Sequence, residues 1–173
     1  MTTRRHFLRN TVSAPLAFGA VPLLGQKSGK KYRTALIGSG WWGMNILREA
    51  MASQRISVCA LCDADTNVMD NGSEDVKAST GEDPKQYRDY REMLAKEKPE
   101  IVIIATPDHW HALQSIAAVK AGAHVYVEKP TGHTVNESRA MVEAAQDAGV
   151  VVQVGLHRRI GPHHVEAMRL LKT

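Results

Sequence analysis

The chain has 173 residues and a formal net charge of +4, which suits one domain with short appendages. Residues 1–33 hold seven Lys and Arg residues and no acidic residue, whereas the remaining 140 residues hold 15 basic and 18 acidic side chains. The expected folded part is therefore slightly acidic, and its charge gives no case for nucleic-acid binding.

Residues 1–30 are predicted to be a signal peptide and linker. Arg4 and Arg5 precede a mildly apolar run at 12–24, and further basic residues follow that run. A charged start before a short apolar region is typical of a secretory signal, and the paired arginines resemble the twin-arginine type. The run is too short and too rich in Pro and Gly to form a stable membrane span. We therefore expect export to the periplasm by the twin-arginine route; a disordered basic leader is the alternative.

The rest of the chain alternates between apolar strands and helices. Strands are predicted at 33–37, 57–61, 87–89, 101–105, 124–127 and 150–154, with helices at 44–52, 91–98, 112–121, 135–148 and 163–172. The polar stretch 64–84 is predicted to form a poor helix followed by a loop. This alternation predicts an α/β fold, a Rossmann-type doubly wound parallel sheet of about six strands in the order 3-2-1-4-5-6, over residues 31–155.

A glycine-rich loop follows the first strand, where residues 38–43 read Gly-Ser-Gly-Trp-Trp-Gly. In this G-x-G-x-x-G pattern Gly38 permits a tight turn, Gly40 lets a pyrophosphate approach the backbone, and Gly43 lets the next helix pack closely. Asp63 ends the second strand twenty residues after Gly43. Its carboxylate can accept hydrogen bonds from both ribose hydroxyls and would repel a 2′-phosphate. The pattern predicts binding of NAD rather than NADP; a glycine-rich turn without a ligand is the alternative.

Two residue pairs, one inside this loop and one on the next predicted strand, need a separate interpretation. Trp41 and Trp42 lie inside it, and we expect one indole to pack on the core and the other to cover cofactor or substrate. Cys59 and Cys62 form a C-x-x-C pair on a predicted strand, so they should point to opposite faces of the sheet and form neither a disulfide nor a redox site.

The loop after the fourth strand reads Thr-Pro-Asp-His-Trp-His from residue 106. Asp108 is expected to be the N-cap of the next helix. His109 and His111 could form a metal pair on a strand, but they diverge at a helix start and no third ligand is evident, so no metal is predicted. His109 is expected to contact cofactor or substrate.

The fifth strand ends in Glu128-Lys129-Pro130. A lysine at a strand end beside a nicotinamide crevice would be partly desolvated, which suits it to proton transfer on a hydroxyl that loses hydride. A solvated surface lysine is the alternative, and the residues alone leave both open.

Taken together, the segments A-L-I-G-S-G-W-W-G, L-C-D-A-D, A-T-P-D-H-W-H and V-E-K-P resemble the N-terminal half of the Gfo/Idh/MocA oxidoreductase family. The resemblance implies that Lys129 is the catalytic acid/base or a substrate ligand, and that Glu128 and Pro130 shape its loop. It also implies that Thr106, Pro107 and His111 line the cofactor. The predicted cofactor-binding residues are therefore Gly38, Gly40, Trp41, Trp42, Gly43, Asp63, Thr106, Pro107, His109, His111, Glu128, Lys129 and Pro130.

Family members carry a second, substrate-binding domain, and residues 156–173 are expected to form the helix that connects to it. The resemblance thus implies an exported NAD-dependent oxidoreductase that acts on a sugar or polyol hydroxyl, of which this chain is the cofactor-binding half. A homo-oligomer formed through the second domain is also compatible with the resemblance. An NAD-dependent glycosidase of the same family and a non-catalytic nucleotide-binding module are the alternatives.

Overall fold

Strands and helices alternate along residues 29–171, which are the residues that the computed structural model describes. The strands are β1 Tyr32–Ile37, β2 Ile56–Cys62, β3 Lys85–Tyr87, β4 Ile101–Ile104, β5 His124–Val127 and β6 Val152–Val154. The helices are α1 Trp41–Ala52, α2 Thr66–Thr80, α3 Tyr90–Glu97, α4 His111–Lys120, α5 Val135–Ala148 and α6 Pro162–Leu170, with short 3₁₀ turns at Asp108–Trp110 and His157–Ile160. All neighbouring strands are parallel, in the order β3-β2-β1-β4-β5-β6. This confirms the predicted Rossmann-type fold.

Apolar side chains cover both faces of the sheet, as the central strands of a parallel sheet require. Val102 and Ile104 of β4 belong to one core layer, which also contains buried residues of α3, α4 and α5. Ile103, between them, belongs to the other layer, together with Leu36 of β1 and Leu47 of α1. The period of two along a strand therefore decides which helix layer each side chain meets.

Strand β2 departs from this alternation at one residue. Thr34 pairs with Val58, but the next residue of β1, Ala35, pairs with Ala60, so Cys59 is an extra residue in a β-bulge. Because of the bulge, Cys59 and Cys62 both contact the same core layer, and the prediction that they point to opposite faces was wrong. Both thiols are free, and burial raises the pKa of each, that of Cys62 to about 12.

Helix α2 is a full 15-residue helix where the sequence predicted a poor helix and a loop. The Asp65 side chain caps its start by accepting from the N–H of Asn67, and Gly81 ends it in the left-handed conformation. Only three of its residues are buried, Met69, Gly72 and Val76. So few buried positions explain why the apolar pattern was weak.

Two other predictions concern the ends of the chain. The predicted signal peptide lies almost entirely at residues 1–28, outside the described part. Within residues 29–171, no helix is long and apolar enough to cross a membrane. Helix α6 lies where the connecting helix is predicted, and none of its residues is buried.

Candidate functional site

The glycine loop brings the carboxyl ends of β1 and β4 together. Gly38 has a φ of +93°, and a Cβ there would lie 2.7 Å from the backbone carbon of Ala105. A Cβ on Gly43 would overlap the carbonyl oxygen of Gly38. Both positions therefore require glycine for the turn and for the packing of α1 against it.

The third glycine has a different environment. Gly40 precedes α1 with an ordinary φ of −62°, and a Cβ there would meet nothing within 4 Å. Helix α1 begins at Trp41, three residues earlier than predicted, and the N–H groups of a first helical turn have no acceptor within the helix. Open space in front of such N–H groups fits an anionic pyrophosphate.

Asp63 lies at the end of β2, and backbone N–H groups hold its carboxylate. Ser39 donates to Oδ2 at 2.7 Å, and Asp65 donates to Oδ1 at 3.1 Å. The side chain lines a cleft of about 530 Å³ between the loops after β1, β2 and β4. Arg88 and Arg91 also line this cleft, which the sequence analysis did not anticipate.

Helix α4 fixes the loop after β4. Thr106 and Pro107 line the same cleft as Asp63, and the Thr106 hydroxyl donates to Oε1 of Gln114 at 2.7 Å. His111 is only 2% exposed; its Nε2 lies 2.8 Å from the carbonyl oxygen of Thr106 and its Nδ1 lies 2.6 Å from that of Pro130. Its ring thus ties the loop after β4 to the loop after β5, and both nitrogens face backbone carbonyls.

Asp108 does not cap α4, so that prediction was wrong. Trp110 occupies the N-cap position without a side-chain bond, because the 3₁₀ turn from Asp108 intervenes. The Asp108 carboxylate instead pairs with Nε2 of His133 at 2.9 Å. This hydrogen bond raises the pKa of His133 and lowers the pKa of Asp108. His109 is exposed beside the pair, 4.0 Å from the Asp108 carboxylate.

The buried and exposed members of the H-x-H pair point to different surroundings. His111 lies in the interior and His109 lies in solvent. Among residues 29–171 there is no group of three or more His, Cys, Asp or Glu side chains that could hold a metal ion.

Glu128 lies beneath the loop after β5. It is 4% exposed and accepts from the Tyr126 hydroxyl at 3.1 Å and from the Lys129 N–H at 3.3 Å. Burial, together with the adjacent Glu128, raises the pKa of Tyr126 to about 12. Gly155 lies against this pair, since a Cβ there would overlap the Glu128 carboxylate.

Lys129 itself is exposed, and its side chain has no hydrogen-bond or ion-pair partner within the described part of the chain. The Lys129–Pro130 peptide bond is cis. The Lys129 N–H donates to the Glu128 carboxylate, but the described residues leave the side chain exposed, as in the solvated alternative that the sequence left open.

A second cleft, of about 550 Å³, lies on the Lys129 side of the glycine loop. Its lining residues are Trp41, Trp42, Lys129, Gly155, Leu156, His157 and Arg159. Trp41 is 77% exposed and Trp42 is 36% exposed, so neither indole packs in the core and that expectation was wrong. Two clefts thus flank the start of α1, one reaching Asp63 and the other reaching Lys129.

The model of an oxidoreductase family with an NAD-binding Rossmann fold, Gfo/Idh/MocA, matches residues 32–156. The chain belongs to this family. Its Gfo/Idh/MocA domain is 31% identical over 118 residues to a glycosyl hydrolase family 109 protein of Shewanella pealeana, an alignment that covers 66% of this chain and 26% of the relative.

Solved structures of larger proteins contain the same domain. Myo-inositol 2-dehydrogenase of Lactobacillus plantarum matches with a TM-score of 0.73 and 28% identity, over 83% of this chain and 41% of that one. The WlbA dehydrogenase of Bordetella pertussis, in complex with NADH and UDP-GlcNAcA, matches with a TM-score of 0.71 and 26% identity, over 83% and 42%. The chain therefore spans about a quarter of the length of the curated relatives it matches and about two fifths of these dehydrogenases.

The predicted site residues of the Gfo/Idh/MocA domain fall into four groups. One cleft is lined by Gly38, Gly40, Asp63, Thr106 and Pro107, and the other by Trp41, Trp42 and Lys129. Gly43, His111 and Glu128 are buried beneath the loops, whereas His109 and Pro130 are exposed and line neither of these two clefts. The open backbone at Gly40 and the start of α1 fit NAD, the cofactor of the family.

Sequence reasoning missed several residues that hold these loops. Gln114 lies three residues after His111, so both side chains leave α4 on one face, and this spacing was a usable signal. Tyr126 and Glu128 are two apart on a strand, which also places them on one face. His133, in contrast, meets Asp108 across two loops, and no local pattern predicts that contact.

Proposed function

We propose that the chain is the cofactor-binding half of an NAD-dependent oxidoreductase that acts on a hydroxyl of a sugar or polyol. The observation that carries the proposal is the pair of clefts that flank the start of α1, one at Asp63 and one at Lys129. A dinucleotide has two nucleoside ends joined by a pyrophosphate, and this arrangement suits it. The inositol dehydrogenase and the UDP-GlcNAcA complex among the solved relatives support the substrate class.

Each residue then has a separate task. The N–H groups at the start of α1 bind the pyrophosphate, with Gly40 leaving it room. The Asp63 carboxylate accepts hydrogen bonds from the ribose hydroxyls. The hydrogen bond from the Ser39 N–H already orients this carboxylate. Bound NAD would supply the carbon that accepts a hydride from the substrate. Lys129, on the other side, takes the proton from the reacting hydroxyl when its amine is in the neutral form.

A second candidate is an NAD-dependent glycosidase, in which transient oxidation assists elimination and no net oxidation results. Only the name of the Shewanella relatives, glycosyl hydrolase family 109 protein, favours it. A chain that only binds nucleotide, without catalysis, is the third candidate.

The test uses this chain together with the substrate-binding domain that the proposal requires, supplied on the same chain or by a partner chain. We expect NADH to form, by absorbance, when inositols, hexoses or hexuronates are supplied, and the isolated chain to bind NAD without turnover. Sugar cleavage with no net NADH formation would favour the glycosidase. Binding of NAD with neither reaction would favour the non-catalytic candidate.

We further propose that the protein is exported folded by the twin-arginine route, with NAD loaded beforehand and held tightly. The paired Arg4 and Arg5 before an apolar run support this, and they lie outside the described residues. Replacing both by Lys in a fusion to a reporter that is active only after twin-arginine export should abolish the signal. Undiminished export would contradict the proposal.

A further inference from the structure

The cleft beside Lys129 has an unusual lining for a surface depression. We call it the aromatic cleft, and its residues are Trp41, Trp42, Lys129, Gly155, Leu156, His157 and Arg159. Three of these seven residues carry aromatic rings and two carry cationic groups, whereas none is acidic. The proposed function places both the nicotinamide end of NAD and the reacting hydroxyl in this cleft, since Lys129 is one wall.

The aromatic rings form one contiguous cluster of tilted rings, with interplanar angles of 43° between Trp41 and Trp42 and 55° between Trp42 and His157. The ring of Trp42 lies 5.4 Å from that of Trp41 and 5.6 Å from that of His157, measured between centroids. Leaving large indole surfaces in water is unfavourable, and such surfaces commonly mark binding sites. An indole face carries partial negative charge, so it attracts the C–H bonds on the less polar face of a sugar ring. The exposed indole faces therefore suit a pyranose or cyclitol ring.

The charged groups of the aromatic cleft are unpaired. Within residues 29–171 the side chains of Lys129 and Arg159 have no hydrogen-bond or ion-pair partner, and both residues are exposed. The carboxylate of Glu128, next to Lys129 in sequence, is buried and accepts from Tyr126 and from the Lys129 N–H. The exposed charge of the cleft is therefore positive. An arginine fork matches the geometry of a carboxylate or a phosphate.

We propose that the aromatic cleft binds a hexose-type ring that carries an anionic group, a carboxylate or a phosphate. The ring stacks on Trp41 and the anion pairs with Arg159, which leaves Lys129 for the reacting hydroxyl. This inference rests on the proposed function and narrows its substrate class from sugars in general to acidic sugars.

The three tryptophans of the chain provide the test. Trp41 and Trp42 line the aromatic cleft, whereas Trp110 lines the cleft at Asp63 and serves as an internal control. The ¹⁵N-labelled chain, saturated with NAD, is titrated with D-glucuronate, D-glucose 6-phosphate and D-glucose while the indole N–H signals are followed by NMR. We expect the Trp41 and Trp42 signals to move and the Trp110 signal to stay.

The preferred anionic sugar should reach half-saturation at a concentration about tenfold lower than glucose, the effect of one charge-assisted hydrogen bond. The carboxylate and phosphate arms identify which anion the cleft prefers. Arg159→Gln should remove the preference, so that the anionic sugars and glucose reach half-saturation at similar concentrations. The matched Arg55→Gln, at an exposed arginine before β2, should keep it, and Trp41→Leu should weaken all three sugars.

Equal half-saturation by the three sugars, unmoved Trp41 and Trp42 signals, or a preference that survives Arg159→Gln would overturn the inference. Failure of the chain to bind NAD in the first step would instead contradict the proposed function. Binding of NAD with no preference for an anionic sugar overturns this inference alone.

Discussion

Gly40 and Gly43 belong to one sequence pattern, yet we expect alanine at the two positions to have opposite effects. At Gly40 the φ of −62° suits alanine, and the added Cβ meets nothing within 4 Å. Restricting the unfolded chain should then raise the free energy of unfolding by about 0.4–1 kcal/mol. The methyl group, however, fills the space in front of α1. We expect the affinity for NAD to fall at least about tenfold, or ~1.4 kcal/mol.

At Gly43 the same change meets the backbone. The Cβ overlaps the Gly38 carbonyl oxygen and lies 3.3 Å from the Cβ of Ala105, and no side-chain rotation relieves a clash with a backbone atom. Overpacking typically costs about 1–3 kcal/mol, and a backbone overlap belongs at or above the upper end. Alanine gains about 1 kcal/mol over glycine in a helix interior. Subtracting this gain from the overpacking cost, we expect Gly43→Ala to lower the free energy of unfolding by about 2 kcal/mol.

The assays are urea denaturation followed by circular dichroism and calorimetric titration with NAD, on the unmutated chain and both variants. Each variant is the control for the other, because both add one methyl group to the same loop. A Gly40→Ala chain that binds NAD as tightly as the unmutated chain would refute the placement of the pyrophosphate. A Gly43→Ala chain of unchanged stability would refute the packing argument.

Three further outcomes follow from the site. Asp63→Ala should shift the ratio of NADP to NAD affinity toward NADP by about tenfold or more, because a repelling charge is lost while Arg88 remains on the same cleft. Calorimetry with both cofactors measures this ratio, and an unchanged ratio would contradict the prediction. Lys129→Met in the complete enzyme should lower turnover by about 10²–10⁴-fold with NAD affinity nearly unchanged, and full turnover would contradict the assignment. Since the pKa of His133 is raised, its pairing with Asp108 stabilises the fold below the ordinary histidine pKa and is lost as pH rises through the raised value. At the acid end the lowered pKa of Asp108 means that the contribution is lost as pH falls through that value. NMR titration should find the His133 pKa above that of the Asp108→Asn variant, and equal values would rule out the pair.

Most of the fold could be predicted because apolar runs and short connections are local signals. The capping box at Thr134 and Glu137, for example, is visible in four residues and is present in α5. The two failures had local causes as well. Helix α2 buries few residues, so its caps at Asp65 and Gly81 carried more information than its hydrophobic pattern. The bulge at Cys59 inserts one residue into β2, and nothing in that run of apolar residues predicts it.

The candidate site could be predicted only as far as the strand ends reach. Parallel strands bring their carboxyl ends to one edge, which is why Asp63 and Lys129 were expected near the glycine loop. The contacts of His111 with Pro130 and of His133 with Asp108 depend on how two loops meet. Such contacts join residues 19 or more positions apart in sequence, and periodicity carries no information about them.

Several buried polar side chains lie at the carboxyl edge of the sheet, where apolar side chains would be enough for packing. Ser39, His111, Gln114 and Glu128 are all at most 5% exposed, and each lies in or beside a loop that follows a strand. A buried polar group costs about 1–3 kcal/mol when it is left unpaired, so apolar residues would serve the core at less risk. The two ring nitrogens of His111 instead face the backbone carbonyls of Thr106 and Pro130, and Glu128 accepts from the Lys129 N–H, whereas Gln114 accepts from the Thr106 hydroxyl. Glu128 holds the backbone of Lys129 while the lysine amine stays unpaired among the described residues, and this arrangement leaves the amine available for the ligand that the proposed function requires.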